Sequence, residues 1–455
     1  MIYIRKLCGI SLLLAAILPA CKKKESSSVS LSLPHEITLT VGQEKQLDAG
    51  TGQVSWSSSD PTVVTVSSTG LVNAQKTGTA DIKVTAGQSS STCKVSVIVG
   101  NDPLSLSPLG QPYSGALVYS ANVLLKATTS VMQCFDLDRQ GNIYYSQLGQ
   151  PNSYEVGRTK VHELYVIKGQ PNTATGNDYM TLKYFGHGGG MVMEEDNGQQ
   201  YVWINSNATK NALVTGFEYN YSRTISRIKY EAGKVYGDGY GGDTYFLDKA
   251  DLFNFNPAID AKNKLLCVNA TQSGGARYFY TYNLDDVKKL PLETFNVSVK
   301  IGGEEAGISE QTVNRSIQGR NLSKAKPVGS FFVPKGSSLA ADVNSYSFQG
   351  FDIDGDYIYF LEGVGNSNNI DNGPSNTYVT VFNLQGKLIR PRAKVMAIAN
   401  IATLNAAGIT SSGYMEPEGI KVKDDKLYIA FASRSKPGVS DNYCRANIWR
   451  YDGVQ

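Results

Sequence analysis

The amino-acid sequence predicts an all-β protein in which a small β-sandwich precedes a five-bladed β-propeller. Three observations support this prediction. Apolar and polar residues alternate over short segments that turn residues separate, as they do in strands with one buried face. Glycine (45 residues) and tyrosine (27) are abundant, whereas only 18% of the residues are charged. One hairpin pattern recurs five times after residue 112, and such a recurrence is typical of radially repeated sheets.

Length and charge limit the classes of function. At 455 residues the chain is long enough for two or three units. Its 43 basic and 40 acidic residues give a net charge of +3, which argues against a nucleic-acid groove as the main function. The sequence has neither a phosphate-binding loop nor a dinucleotide fingerprint, and its three histidines are scattered. We therefore expect no cofactor and no metal site.

Residues 1–20 have the features of a secretory signal peptide. Arg5 and Lys6 precede an apolar run that ends at Leu18-Pro19-Ala20-Cys21, and this run is too short to cross a bilayer. The last four residues resemble the lipobox of bacterial lipoproteins, which implies that Cys21 is lipidated and becomes the mature N-terminus. The alternative is an ordinary cleaved signal in which Cys21 is incidental.

The same resemblance implies a location. Residues 21–28 would form a polar tether, and no later segment has 18 consecutive apolar residues, so acyl chains would be the membrane anchor. We therefore expect a protein that is lipid-anchored to the bacterial cell envelope, at the outer membrane, facing the periplasm or exposed at the surface.

Residues 29–99 contain about seven short strands between glycine, serine and aspartate turns, which is the pattern of a small sandwich. Segments 56–61, 64–72 and 78–80 resemble the bacterial Ig-like group 2 (BIG2) family. The resemblance implies an Ig-like sandwich that serves as a stalk or adhesion module, with Trp56 in its core. Residues 100–112 hold three prolines and are predicted to be a linker.

The segment 113–455 is predicted to be the propeller. Its clearest hairpins, 349–359 and 418–429, each consist of a strand, a tight polar turn and a second strand. The last repeat lacks a fourth strand, and either 116–119 or 123–125 would supply it and close the ring. The fourth strands of the other repeats are expected near residues 180–184, 244–247, 295–299 and 394–398.

The number of repeats leaves one alternative open. Residues 301–349 have weak strand signals, and we interpret them as an insertion rather than as a sixth blade.

Segments 186–188, 349–359 and 416–420 resemble the propeller family that teichoic-acid biosynthesis protein C, helveticin J and certain phage receptor-binding proteins share. That resemblance implies recognition of a surface polysaccharide or cell-wall glycan.

Alignment of the repeats predicts a group of polar residues at one mouth of a central channel. Gln133, Gln349 and Glu418 occupy the same position before the first apolar residue of the inner strand, and His187 and Asn256 fall near it. Polar side chains around such an opening could bind sugar hydroxyl groups. Alternatively, they satisfy one another and buried waters.

Further residues are candidates for ligand contact. Glu416 and Glu418 could form the carboxylate pair of a glycosidase. Such a pair needs a defined distance between its carboxyl groups and a raised pKa for one of them, and sequence spacing establishes neither. Tyr236 and Tyr240 lie in a glycine-rich loop and could stack on sugar faces. Cysteines 134 and 267 fall on predicted strands and are expected to be buried free thiols.

The sequence therefore favours a monomeric surface lipoprotein that binds a carbohydrate or another surface polymer without catalysis. Two alternatives remain open, a propeller glycoside hydrolase or polysaccharide lyase and a protein-docking component of an outer-membrane assembly. No residue is assigned a catalytic or metal-binding role.

Overall fold

The structure is a computed structural model in which the chain forms two compact units, residues 1–100 and 101–455. Both are built from β-strands, thirty of them among the described residues, with two short α-helices. The signal peptide, Cys21 and the tether lie outside the described residues. The residues described are 31–50, 52–98, 103–121, 130–149, 163–169, 178–183, 185–208, 222–237, 240, 242–303, 308–337, 341–366, 374–407, 409, 414–434 and 444–452.

The first unit is a sandwich of two sheets with strand orders β1-β7-β6-β3 and β2-β5-β4. Alternating side chains such as Ala80, Ile82 and Val84 are buried between the sheets, as expected for strands with one solvated face. Trp56 packs against this core beside Gly70, where a Cβ atom would lie 2.6 Å from the indole ring. The strands are β1 (Glu36–Thr40), β2 (Glu44–Gln46), β3 (Ser55–Ser58), β4 (Val64–Val66), β5 (Leu71–Ala74), β6 (Gly78–Ala86) and β7 (Ser89–Ile98).

The second unit contains five sheets in chain order, and each begins with an antiparallel hairpin. The first sheet comprises β9 (Met132–Leu137), β10 (Ile143–Leu148), β11 (Glu163–Gly169), β12 (Asp178–Lys183) and a short parallel strand, β16 (Val235–Tyr236). The second comprises β13 (Met191–Asp196), β14 (Gln199–Ser206), β15 (Thr224–Lys229), β17 (Asp243–Phe246) and the hairpin of β21 (Leu292–Gly303) and β22 (Ile308–Asn321).

The other three sheets have four strands each. The third comprises β18 (Leu252–Asp260), β19 (Leu265–Gln272), β20 (Arg277–Asn283) and β23 (Gly329–Val333). The fourth comprises β24 (Phe348–Asp354), β25 (Tyr357–Gly365), β26 (Ser375–Asn383) and β27 (Leu388–Lys394). The fifth comprises β28 (Met415–Lys423), β29 (Lys426–Arg434), β30 (Cys444–Asp452) and β8 (Ala116–Ala121). The helices are α1 (Leu284–Lys288) and α2 (Ile401–Ala406).

The first strands of the five sheets lie next to one another in a closed cycle, β9-β13-β18-β24-β28 and back to β9. Buried aspartates join neighbouring sheets within this cycle. Asp136 Oδ2 accepts a hydrogen bond from the backbone N–H of Met193 (2.7 Å), and Asp352 Oδ2 accepts one from Val422 (2.7 Å). These bonds explain the aspartate of the repeated pattern, because a buried carboxylate needs such partners.

The tight turns of the two clearest hairpins follow from their residues. Asp424 and Asp425 both have positive φ angles, 50° and 57°, as a type I′ hairpin turn requires. Gly355 has a φ of 54° and begins the two-residue turn between Asp354 and Tyr357. Each turn lets the next strand start at once and keeps the hairpin in register.

The fifth sheet is completed from far away in the chain. Strand β8 pairs antiparallel with β30, and Tyr119 lies opposite Ile448. One of the two predicted sources of this strand, residues 116–119, is therefore confirmed. The other, 123–125, lies outside the described residues. Tyr119 is only 2% exposed, so the pairing also buries an aromatic side chain.

Four expectations differ from the structure. The fourth strand of the fourth sheet was expected near residues 394–398, but it is β27 at Leu388–Lys394, and Met396–Ile398 form a short 3-10 helix. Residues 295–299 belong to β21 of the second sheet, where Phe295 stacks on Phe246 (centroids 4.3 Å apart), rather than to the third. The third sheet takes its fourth strand from β23, which lies inside the region interpreted as an insertion. The predicted linker is packed from residue 103, because Leu106 and Leu109 are buried in the core of the second unit. Within the described residues, no helix has the length and apolarity needed to span a membrane.

Candidate functional site

One cavity of about 550 Å³ lies at the start of the five first strands. Its volume falls in the range of about 300–1,000 Å³ that is common for small-molecule pockets. Six of the eight predicted ligand-binding residues line it, namely Gln133, His187, Asn256, Gln349, Glu416 and Glu418. The repeat alignment therefore identified residues that are far apart in the sequence and line the same cavity.

Irregular strand pairing directs the three equivalent residues into the cavity. The pairing of β9 with β10 shifts register around Gln133, that of β24 with β25 around Gln349, and that of β28 with β29 around Glu418. A β-bulge leaves one residue unpaired and re-aims its side chain. Because the bulge recurs at the same position of these three repeats, the three side chains converge.

Beneath the cavity, the central space between the first strands is narrow in the part of the chain that the structure describes. A Cβ atom added to Gly190 would lie 2.4 Å from Asn256 Cβ, and one on Gly350 would lie 3.5 Å from the Cα of Gly419. The space beneath is a void of about 10 Å³ bounded by first-strand residues of all five sheets, including Cys134 and Pro257. A void of this size is at most large enough for one water molecule. The glycines allow neighbouring sheets to approach closely around this space.

The polar lining differs with depth. Gln133, Asn256 and Glu418 are only 8%, 4% and 5% exposed, whereas Gln349 and Glu416 are partly exposed. Asn256 Nδ2 donates to the carbonyl oxygen of Asn254 (3.0 Å), and Gln349 Nε2 donates to that of Gly363 (3.2 Å). These four amide and carboxyl side chains, Gln133, Asn256, Gln349 and Glu418, do not hydrogen-bond to one another. Mutual satisfaction therefore does not account for them.

Glu418 is the most unusual group in the cavity. Within the part of the chain that the structure describes, its carboxyl group has no hydrogen-bond or ion-pair partner. Burial, together with the nearby charge of Glu416, raises its pKa well above the ordinary value of a glutamate. Glu416 differs because it is partly exposed and accepts a hydrogen bond from the hydroxyl group of Tyr414. The two carboxyl groups of one strand thus have different environments.

Sequence reasoning missed several lining residues. Arg277 and Phe348 line the cavity, and the guanidinium carbon of Arg277 lies 4.2 Å from the centre of the Phe348 ring. Arg277 Nη1 also donates to Thr271 Oγ1 (2.6 Å). Phe348 directly precedes Gln349 in the repeat, which is the signal that could have found it. Arg277 starts a third strand and has no counterpart in the aligned pattern.

Tyr236 and Tyr240 do not line this cavity, and their contact with a ligand stays a prediction. Their rings pack edge to face with centroids 5.4 Å apart. Tyr240 also contacts Phe185, with centroids 5.8 Å apart. Both belong to the apolar core between the first two sheets, because β16 adds this loop to the edge of the first sheet.

Acidic and basic side chains lie together in the ring of first strands below the cavity. Lys421 Nζ lies 3.7 Å from Asp352 Oδ1, and Lys423 Nζ lies 3.1 Å from Asp136 Oδ1.

Cysteines 93, 134 and 267 are free and buried. Throughout the described ranges, no group of three or more His, Cys, Asp or Glu side chains is arranged to hold a metal ion.

The class of the first unit is defined by a family match. The profile of the family "Bacterial Ig-like domain (group 2)" matches residues 27–97. The resemblance of this unit to that family is therefore confirmed, in agreement with its two-sheet sandwich.

Individual relatives resemble a larger part of the chain. The sequence is 23% identical over 310 residues to the major teichoic acid biosynthesis protein C of Bacillus subtilis (strain 168), and the match covers 65% of this chain. It covers 53% of the relative, so this chain spans about half of that protein's length.

The solved structures that are similar to this chain include two of low sequence identity. The tail fiber of Staphylococcus aureus phage P68 is 14% identical with a TM-score of 0.45, and the match covers 75% of this chain and 53% of the fiber chain. A glycosyl hydrolase from Bacteroides ovatus is 9% identical with a TM-score of 0.32, and the match covers 78% of this chain and 94% of the hydrolase.

Proposed function

We propose that this protein is a lipid-anchored protein of the bacterial cell envelope that binds a carbohydrate or another surface polymer in the cavity of its second unit. The observation that carries the proposal is the convergence of polar side chains, one from or just before the first strand of each sheet, on one cavity of about 550 Å³. In this proposal the five sheets are the blades of a five-bladed β-propeller. The anchor is the lipidated Cys21.

The lining suits a sugar. Amide and carboxyl groups supply both donors and acceptors, as the hydroxyl groups of a sugar require. Phe348 and Tyr414 add apolar ring surface to the same wall, and a ring can cover the C–H face of a sugar. Small-ligand sites usually combine a small number of polar groups in fixed positions with aromatic surface.

Binding is tested on an array of bacterial surface glycans with the purified full-length chain. The double variant Gln349→Ala, Glu418→Ala removes one polar group from each of two sheets and is expected to lose the binding. Mass spectrometry of each bound glycan reports whether it is cleaved. Cleavage would contradict binding without catalysis, and absence of binding across the array would favour a protein ligand instead.

A steric variant tests the location independently. Gly189 lines the cavity, and a Cβ atom there would meet nothing within 4 Å, so Gly189→Phe fills the cavity without a clash at its base. Gly237 is exposed, does not line the cavity and has the same free space, so Gly237→Phe is the matched control. Loss of binding in the first variant alone supports the cavity as the site. Equal binding by both variants would contradict it.

A further inference from the structure

The narrow space beneath the cavity restricts how a polymer can occupy it. Because the space between the first strands there is only about 10 Å³, a sugar chain cannot pass along the axis between the sheets. It must enter and leave through the same opening. An interior sugar carries two chain bonds that would both have to turn back toward that opening, whereas a terminal sugar carries one.

The deepest polar groups give the same indication. Gln133, Asn256 and Glu418 are the least exposed polar residues of the lining, so a ligand contacts them only if part of it descends to the floor. The carboxyl group of Glu418 has no partner in the described part of the chain, and neither does the amide group of Gln133. Both side chains line the cavity, so their polar groups are available to a ligand that reaches the floor.

We propose that the cavity binds the terminal sugar of a polysaccharide chain and that the carboxyl group of Glu418 donates a hydrogen bond to an oxygen atom of that sugar. This inference rests on the proposed function, because it assumes a carbohydrate ligand. It specifies which part of the polymer is bound and which residue contacts that part.

The role of Glu418 follows from its environment. Burial and Glu416 favour the neutral form of its carboxyl group, and a neutral carboxyl group is a hydrogen-bond donor as well as an acceptor. Glu416, which is bound by the Tyr414 hydroxyl group and lies nearer the opening, is suited to accept hydrogen bonds. A sugar hydroxyl group can serve both residues at once.

The test uses linear oligosaccharides of glucose, galactose, mannose, rhamnose and N-acetylglucosamine. Each is printed twice on one array, attached through its reducing end or through its non-reducing end. Recognition of a terminal sugar requires binding in one orientation only. The corresponding free monosaccharide is then expected to compete for that binding.

Variants of Glu418 are compared on the oligosaccharide that binds. Glu418→Ala is expected to weaken binding about tenfold, which corresponds to one hydrogen bond. Glu418→Gln keeps a donor and is expected to weaken it by less than about threefold. Glu195→Ala removes an exposed glutamate outside the cavity and is the control for the loss of a carboxylate. Circular dichroism verifies that each variant is folded.

The outcomes separate the inference from the proposed function. Binding in one orientation, with the expected order of the Glu418 variants, supports the inference. Equal binding in both orientations, or equal affinity of Glu418→Ala and the wild type, overturns it and leaves carbohydrate binding in place. Absence of binding in either orientation overturns the proposed function and this inference with it.

Discussion

Lys421 and Asp352 form an ion pair in which each side chain is only 2% exposed, with Nζ 3.7 Å from Oδ1. They occupy the same position of two neighbouring repeats, where Asp136 stands in a third. Because the fifth sheet carries lysine where the first and fourth carry aspartate, opposite charges meet at the centre of the ring. This substitution explains how two buried carboxylates can be tolerated near each other.

Replacement of Lys421 with Met is expected to destabilise the protein by about 3–5 kcal/mol, because it leaves the buried Asp352 without its cation. The measurement is the midpoint of denaturant unfolding. Lys264→Met is the control, since Lys264 and its partner Asp285 are 63% and 43% exposed and the loss of such a surface pair is expected to leave the midpoint nearly unchanged. Equal midpoints for Lys421→Met and the wild type would show that the buried pair contributes no net stability.

The affinity for a bound oligosaccharide is expected to fall as the pH rises. Burial, followed by Glu416, raises the pKa of Glu418, so the carboxyl group keeps its proton at low pH and loses its donor when the pH passes the raised pKa. The other charged or titratable groups facing the cavity are His187, Arg277, Tyr414 and Glu416, and Cys134 and Lys421 bound the small void beneath.

The measurement is affinity over a pH series from about 5 to 9, which covers raised carboxyl pKa values. Glu418→Gln cannot ionise and is expected to give a flatter profile than the wild type. Parallel profiles for the two proteins would assign the pH dependence to one of the other groups.

Asp354 is expected to make the protein less stable as the pH rises from about 4 to 6. Burial, with the charges of Asp260 and Asp352, raises its pKa from 3.8 to about 6. Between these values the folded state binds more protons than the unfolded state, so the free energy of unfolding decreases with pH and stays lower above the window.

Asp354→Asn removes this penalty. The variant is expected to gain about 1–2 kcal/mol over the wild type at neutral pH, a value reduced for solvent screening because the residue is partly exposed. At about pH 4 the two proteins should be equally stable. The check is urea unfolding at both pH values, and a constant difference between the proteins would refute the assigned pKa.

Tyr119→Ala is expected to cost about 3–5 kcal/mol, because it removes a fully buried aromatic side chain from the strand that completes the fifth sheet. Loss of this strand would also expose the edge of β30, so the variant should aggregate on partial unfolding. Thermal unfolding with light scattering measures both effects. Tyr113 is 74% exposed, and Tyr113→Ala should behave like the wild type. A normal melting temperature for Tyr119→Ala would mean that β8 contributes little.

The sequence predicts this site well where the repeat governs it. Gln133, Gln349 and Glu418 could be grouped because each stands at the same bulge, and a bulge is a local feature of one hairpin. Arg277 could not be found, since its approach to the cavity depends on packing between elements. The composition of the loop that holds Tyr236 and Tyr240 does not report that β16 pairs with the edge of the first sheet.

The fold shows the same division between local and distant interactions. Hairpins such as 349–359 were predicted because both strands and their turn are contiguous. The prediction that Phe295 lies in the third sheet was wrong because β21 pairs within the second sheet, whose other strands come earlier in the chain. The alternation of apolar and polar residues does not identify the neighbour of a strand. The narrow space beneath the cavity also depends on contacts between repeats, at Gly190 and Gly419, which strand periodicity does not report.

The pairing of β8 with β30 has a consequence for synthesis in the cell. Trp449 Nε1 donates to the carbonyl oxygen of Ser114 (3.3 Å), and these residues are 335 positions apart. The ribosome therefore releases β8 long before its partner exists, and such distant contacts make the final folding step slow. Until Trp449 emerges, the nascent chain keeps two unpaired sheet edges, and this interval is when chaperone protection matters most.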